Sequence, residues 1–324
     1  PHDWSIEGDF QATNPSGATG GALPGGIAWY RKHFDVPSYD RNKHYFIDFD
    51  GVYMNASVYL NGHLLGTRPY GFISYRYELT PYLKAKDNVM AVRVDNSEQP
   101  NCRWYSGSGI YRHVYLVTTN ALHVAHWGTF VRATTDGKVC AEIKIDNQGS
   151  RSETVTVRNT VLNSAQKVVS TALRKLTVNP NKPAVFEENM QVDKPELWSI
   201  ERPYRYVLRT EIVQGGRVLD RYDTPFGFRS FHFDAQTGFW LNGKNLKING
   251  VCNHHDLGCL GAAVHRDAIY RQLRLLKDMG CNAIRCSHNP PAPELLELCD
   301  SMGFIVMDES FDMWHRKKTK YDYS

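Results

Sequence analysis

Two short apolar runs near the end of this sequence finish in groups that can do chemistry. In AIRCSHNPPAPELLELCDSMGFIVMDES, residues 283–310, the first run ends in Arg285, Ser287 and His288, and the second, about twenty residues on, ends in Asp308 and Glu309. A third run just upstream ends in Asn253, His254, His255 and Asp256. Imidazoles, a guanidinium and carboxylates of this kind bind and orient a polar substrate when they project from one face, and in parallel α/β architectures that face lies beyond the carboxyl ends of the strands. Metal ligation by His254, His288 and Glu309 is the competing use, although their spacing matches no recognised metal motif; no metal or other cofactor is expected.

The elements that must carry these groups are legible from Arg229 onwards. FWLNGKNLKINGVCNHHD reads as a hairpin running into an apolar strand. HRDAIYRQLRLLKDMG then places Ile269, Leu273, Leu276 and Met279 at helical spacing, with Gly280 as the helix terminator. CNAIRCSH is the next strand, PPAPELLELCDSMG the next helix, ending before Gly303, and FIVMDES the third strand. A βαβαβ order with short loops implies parallel pairing.

The preceding segments have a different grammar. WYRKHFDV, KHYFIDFDGV, NASVYLNGHLLG, NVMAVRVDN and RHVYLVT alternate apolar with polar residues, and Asn61-Gly62 is a two-residue hairpin signal. They predict a β jelly-roll sandwich over residues 1–120. Short, evenly spaced strands continue over 121–230, with a Gly215-Gly216 hairpin, and predict an immunoglobulin-like β-sandwich lacking a Cys…Trp…Cys core. The remaining stretch, 231–324, is then the α/β part. The Gly-rich run at 17–26 lacks the strand before and the helix after that a phosphate loop needs.

The 324 residues exceed one ordinary core, and 42% hydrophobic with 22% charged residues is the composition of a soluble globular protein. No window approaches a membrane span. A formal charge of +4, with no basic block except Arg316 to Lys320, implies no nucleic-acid partner. The seven cysteines, with no CxxC pair, read as buried free thiols. The sequence opens at PHDWSIEGDF without a signal segment, so periplasm and cytoplasm both stay open, as does assembly into a homo-oligomer.

Taken together, WYRKHFDVP, FDGVYMNASVYLNGHLLG, WYSGSGIYRHVYL, FGFRSF, FWLNGKNLKINGVCNHHD, NAIRCSHNP and FIVMDESFDMWH resemble glycoside hydrolase family 2, in particular its bacterial β-galactosidases, over essentially the whole chain. The resemblance implies a jelly-roll sugar-binding domain, an immunoglobulin-like domain and the first βα units of a (β/α)8 TIM barrel. It implies retaining hydrolysis of terminal β-galactosides by two glutamates, with β-glucuronidase, β-mannosidase or a non-catalytic carbohydrate-binding module as alternatives. Both glutamates are expected beyond residue 324, because the resemblance places them on the fourth and seventh barrel strands and the sequence ends soon after the third. It assigns sugar contacts to His254 and His288, and to Arg103 and Trp104 of the WYSGSGIYR loop. Arg285 would brace the nucleophile, and Asp256, Asp308 and Glu309 would support the site. The Glu-x-His that holds magnesium in some members is missing from DESFDMWH, and His255 stands where a glutamate is common. Trp104, Tyr105, Tyr111 and Trp314 supply ring faces for the apolar side of a pyranose.

Overall fold

A computed structural model describes residues 1–313 and 315–322. The chain forms two compact units, Pro1–Thr118 with Asn249–Cys299 and Phe304–Ser324, and Thr119–Ile248 with Asp300–Gly303.

The first unit contains a β-sandwich. One antiparallel sheet orders its strands Ile27–Phe34, Asn88–Asp95, Ala56–Leu60 and His63–Arg68; the other orders Tyr75–Glu78, Lys43–Phe49 and Val114–Asn120. Alternation decides the faces: along Asn88–Asp95 every second residue is buried, so Met90, Val92 and Val94 enter the core beside Ile47, Phe49, Val58 and Leu60. The Asn61-Gly62 turn takes φ of 51° and 86°, as a two-residue hairpin requires, and pairs Leu60 with His63.

The same unit carries three short parallel strands, Gly250–Asn253, Ala283–Cys286 and Ile305–Met307, adjacent in chain order. Helices Arg266–Asp278 and Pro293–Met302 connect them. Gly280, at φ 88°, ends the first helix in a Schellman motif: its N–H donates to Lys277 O and that of Cys281 to Leu276 O, each at 2.9 Å. Ile269 and Leu273 are buried as the periodicity predicts, but Met279 is 75% exposed. It is the C-cap residue, still right-handed helical and bonded through its N–H to Leu275 O at 3.0 Å, where the helix ends.

The second unit pairs a four-stranded sheet, ordered Val168–Val178, Glu153–Leu162, Tyr206–Gln214 and Arg217–Phe226, with a three-stranded one, ordered Ala184–Gln191, Lys138–Asn147 and Leu122–Ala133. Ile143, Ile145, Val157, Val161, Leu208 and Phe228 fill the space between them. A small antiparallel sheet, Phe231–Asp234 with Gly238–Leu241 and Lys244–Asn245, belongs to the same unit.

All seven cysteines are free, but they are not uniformly buried. Cys102, Cys286 and Cys299 are; Cys252 and Cys259 are exposed, correcting the expectation of buried thiols. Cys252 lies on a strand where exposed and half-buried positions alternate and none is buried, and Cys259 in a single 3-10 turn that buries none of its residues. Among the described residues no helix is long and apolar enough to cross a membrane.

Candidate functional site

The three parallel strands deliver their terminal side chains to one place. Arg285, on the central strand, donates from Nε to Glu309 Oε1 at 2.5 Å, and His288 lies 2.8 Å from the other oxygen of the same carboxylate through Nδ1. A carboxylate accepts, so His288 carries its proton on Nδ1 and turns Nε2 away from Glu309. His254, at the end of the first strand, donates from Nδ1 to Ser287 O at 2.8 Å, which fixes the same tautomer there. The two imidazoles meet edge to face, with centroids 5.7 Å apart.

The fourth wall comes from the sandwich. Trp104 stacks on His254 with centroids 5.6 Å apart and an interplanar angle of 7°, and meets His288 at 5.5 Å and 71°. The residue is 4% exposed, so its ring packs behind the histidines and offers no open face. Arg103, its neighbour, is committed elsewhere: Nε and Nη2 grip the carboxylate of Asp312 at 2.9–3.1 Å, and Lys318 Nζ reaches Asp312 Oδ1 at 2.8 Å. Burial pushes the Asp312 carboxyl up, but these two cations outweigh it and hold it below the usual carboxylate range.

Asp256 and Asp308 stand apart from this cluster. Asp256 is half-buried, near enough to Tyr105 to help raise the phenol, and its backbone carbonyl faces Gln272 Nε2 at 3.5 Å. Asp308 is exposed. Tyr111 is fully buried and donates its hydroxyl to Gly71 O at 3.0 Å, so it packs rather than presents a face. Trp314 lies outside the described residues. Among the described residues no cluster of three or more His, Cys, Asp or Glu is arranged to hold a metal ion.

Three further residues, His255, Arg112 and Asp3, make contacts around these groups that the sequence did not foretell. His255 turns away from the site, between Phe72 and Tyr111, and donates from Nε2 to Ser106 O at 3.2 Å. Burial, with the nearby Arg112 charge, pushes its imidazole down to about 4, against the pull of the Ser106 carbonyl, so it is neutral at physiological pH. Arg112, 2% exposed, donates to Asp50 O, Phe72 O and Pro290 O, so one guanidinium ties sandwich loops to the turn after His288. Asp3 is the third, its carboxylate buried. The signals were present in HDW, SGSGIYR and HHD, but nothing local says which distant backbone each would meet.

Beneath the histidines lies a cavity of about 40 Å³ whose lining includes Arg112, His255, Ser287 and Asn289. Arg112 Nε, His255 Nδ1, Ser287 Oγ and Asn289 Oδ1 are buried without a hydrogen-bond partner among the described residues. The thiols of Cys102 and Cys286 are pushed up to about 12 by burial, which removes them as nucleophiles.

Known proteins match this chain from one end to the other. The family model described as glycosyl hydrolase 2 galactose-binding domain-like matches residues 26–124, that of glycosyl hydrolases family 2 matches 123–229, and that of the family 2 TIM barrel domain matches 235–321. The β-galactosidase BoGH2A of Bacteroides ovatus is 54% identical over the whole chain, which spans 39% of that protein's length. A putative β-glucuronidase of Formosa agariphila is 43% identical, again over the whole chain and 31% of the relative. Among solved structures, a family 2 member from Bacteroides cellulosilyticus superimposes with TM-score 0.96 at 38% identity, over all of this chain and 43% of that one. A β-glycosidase from Bacteroides vulgatus does so with 0.92 at 42%, over all of this chain and 41% of that one. Three matches to one family follow each other along the sequence in the order of the sandwich, the immunoglobulin-like domain and the barrel strands that bear the site: the chain belongs to glycoside hydrolase family 2.

Proposed function

We propose that this chain is the sugar-recognising part of a retaining exo-β-glycosidase, a β-galactosidase, that hydrolyses terminal β-galactosides. The observation that carries the reading is the convergence of His254, His288, Arg285 and Glu309 at the ends of three neighbouring strands, backed by Trp104. Rigid donors and acceptors of this kind suit hydroxyls set in fixed directions around a pyranose. In this reading His254 and His288 face the sugar, Arg103 and Trp104 border it from the sandwich, and Arg285, Glu309, Asp308 and Asp256 support the site. The chain divides into a sugar-binding sandwich at 1–120, a scaffold sandwich at 121–230 and the beginning of the catalytic barrel at 231–324.

The Arg285 guanidinium is committed to Glu309, which favours a neutral sugar over a uronate at that point of the site, whereas Arg103 and Lys318 share the one carboxylate of Asp312. Glu309 is itself engaged on both oxygens, which fits a supporting carboxylate rather than one of the two acids of a retaining pair, set roughly 5 Å apart across the bond. Those acids belong, in this reading, to polypeptide outside these residues, in keeping with a chain that spans 39% of its Bacteroides ovatus relative.

The test compares residues 1–324 with the full-length protein on chromogenic β-galactoside, β-glucuronide and β-mannoside. Turnover of the galactoside by the longer polypeptide alone is expected. Activity in the shorter one, or a preference for the glucuronide, would overturn the assignment.

A further inference from the structure

The HDW motif near the start of the sequence plays no part in the chemistry above, yet its aspartate is among the most heavily engaged groups in the molecule. Asp3 is 1% exposed. Its Oδ1 accepts from Ser5 N at 3.1 Å and Ser108 N at 2.9 Å, and its Oδ2 from Tyr105 Oη at 2.5 Å and Ala262 N at 2.8 Å. No lysine, arginine or histidine donates among those four contacts; backbone amides and a phenol satisfy the carboxylate. A buried carboxylate with four donors is well solvated by the protein, and each donor lost leaves part of a charge unsatisfied.

The donors come from three places in the sequence: the HDW segment, the WYSGSG loop of the sandwich, and the loop after the first barrel strand. His2 N to Ile110 O at 2.7 Å and Trp4 N to Ser108 O at 2.9 Å add backbone bonds on either side of Asp3. Two glycines make room for the carboxylate. A Cβ on Gly107 would come within 2.6 Å of Asp3 Oδ2, and one on Gly261 within 2.3 Å, at φ of +71° and +58°. Both loops are thus shaped around this one side chain.

Trp104 immediately precedes the Tyr105 that Asp3 holds, and its ring lies flat on His254. We propose that Asp3 is a positioning residue, whose carboxylate pins the 104–108 loop to the first βα loop of the barrel and so holds the Trp104 ring against His254. Its effect on sugar binding rests on the reading of His254 as a sugar contact; its effect on the ring stack does not.

The experiment uses the full-length protein labelled with 5-fluorotryptophan, the Trp104 resonance being assigned by its loss in Trp104→Phe. His254→Ala shifts that resonance in the wild-type background through loss of the stacked ring. In the Asp3→Asn background the same substitution is expected to shift it less than half as far, because the stack is already broken. A shift of undiminished size overturns the proposal. In the same variant, KM for the chromogenic β-galactoside is expected to rise about tenfold with kcat within about twofold. A lowered thermal midpoint with KM unchanged overturns it as well, since that is what a purely structural anchor would give. Tyr105→Phe, which removes one donor of the four, carries the same two readouts should Asp3→Asn fail to fold. If the wild type turns over no β-galactoside, the functional reading fails and the fluorine shift alone decides the role of Asp3.

Discussion

His288 and Glu309 are joined by a 2.8 Å hydrogen bond from Nδ1 to Oε2, while Arg285 holds the other oxygen of the same carboxylate. One acid therefore sets both the tautomer of the imidazole and the heading of the guanidinium. Glu309→Gln keeps the shape but removes the charge and turns one acceptor into a donor. Charge-assisted bonds of this kind contribute about 1.5–3 kcal/mol, so kcat/KM of the full-length protein is expected to fall by roughly 10- to 100-fold. Steady-state kinetics on the galactoside checks this, with circular dichroism confirming the fold.

The buried imidazole of His255 makes stability depend on acid. Its ordinary value is 6.5 when unfolded and about 4 in place, so between those limits the unfolded chain binds the extra proton. The contribution is complete above about pH 6.5 and is lost as pH falls towards 4, amounting to about 2 kcal/mol by pH 5. Asp50 works in the opposite sense. Desolvation, together with the neighbouring Glu294, raises its carboxyl to about 6, so folding gains a proton there and is favoured as pH falls below 6. Denaturation midpoints from pH 7 to pH 5 should therefore drop more steeply in Asp50→Asn than in wild type, and less steeply in His255→Phe.

Arg112 satisfies three backbone carbonyls with one guanidinium, so shortening it leaves buried acceptors unpaired. Arg112→Met is expected to destabilise the first unit by about 3 kcal/mol or more, and Arg112→Lys by nearly as much, because an ammonium cannot fork across the same carbonyls. A lowered urea midpoint with unchanged slope is the expected reading.

The cavity under the histidines is large enough for at least one water, and its orphaned atoms offer both donor and acceptor sites. High-resolution crystallography of the full-length protein is expected to find ordered water bonded to Ser287 Oγ and His255 Nδ1. Empty density would contradict this. Ser287→Ala should then lose the water without moving the His254 bond, which uses the Ser287 carbonyl.

Much of this was legible in the sequence because it is local. The Asn61-Gly62 turn, the alternation along Asn88–Asp95, the glycine stop at Gly280 and the polar strand ends at His254, His288 and Glu309 all follow from a few neighbouring residues. What escaped was the pairing of distant segments. Arg103 meets Asp312 across 209 positions, Arg112 meets Pro290 across 178, and Asp3 meets Ala262 across 259. No periodicity or spacing rule reaches that far. The cysteines failed for a related reason: residue type predicted burial, but Cys252 is exposed beside its register partner Arg285, whose Nη1 lies 3.6 Å from Sγ.

The fork of Arg112 onto Pro290 bears on how such chains can be recombined. A chimaera that took its sandwich from one parent and its barrel from another would be cut where the chain looks modular, near residue 120. It would still sever a lock closed by side chains on one parent's loops and carbonyls on the other's. Crossover points that inherit residues 1–113 together with 253–294 keep both halves of that lock in a single lineage.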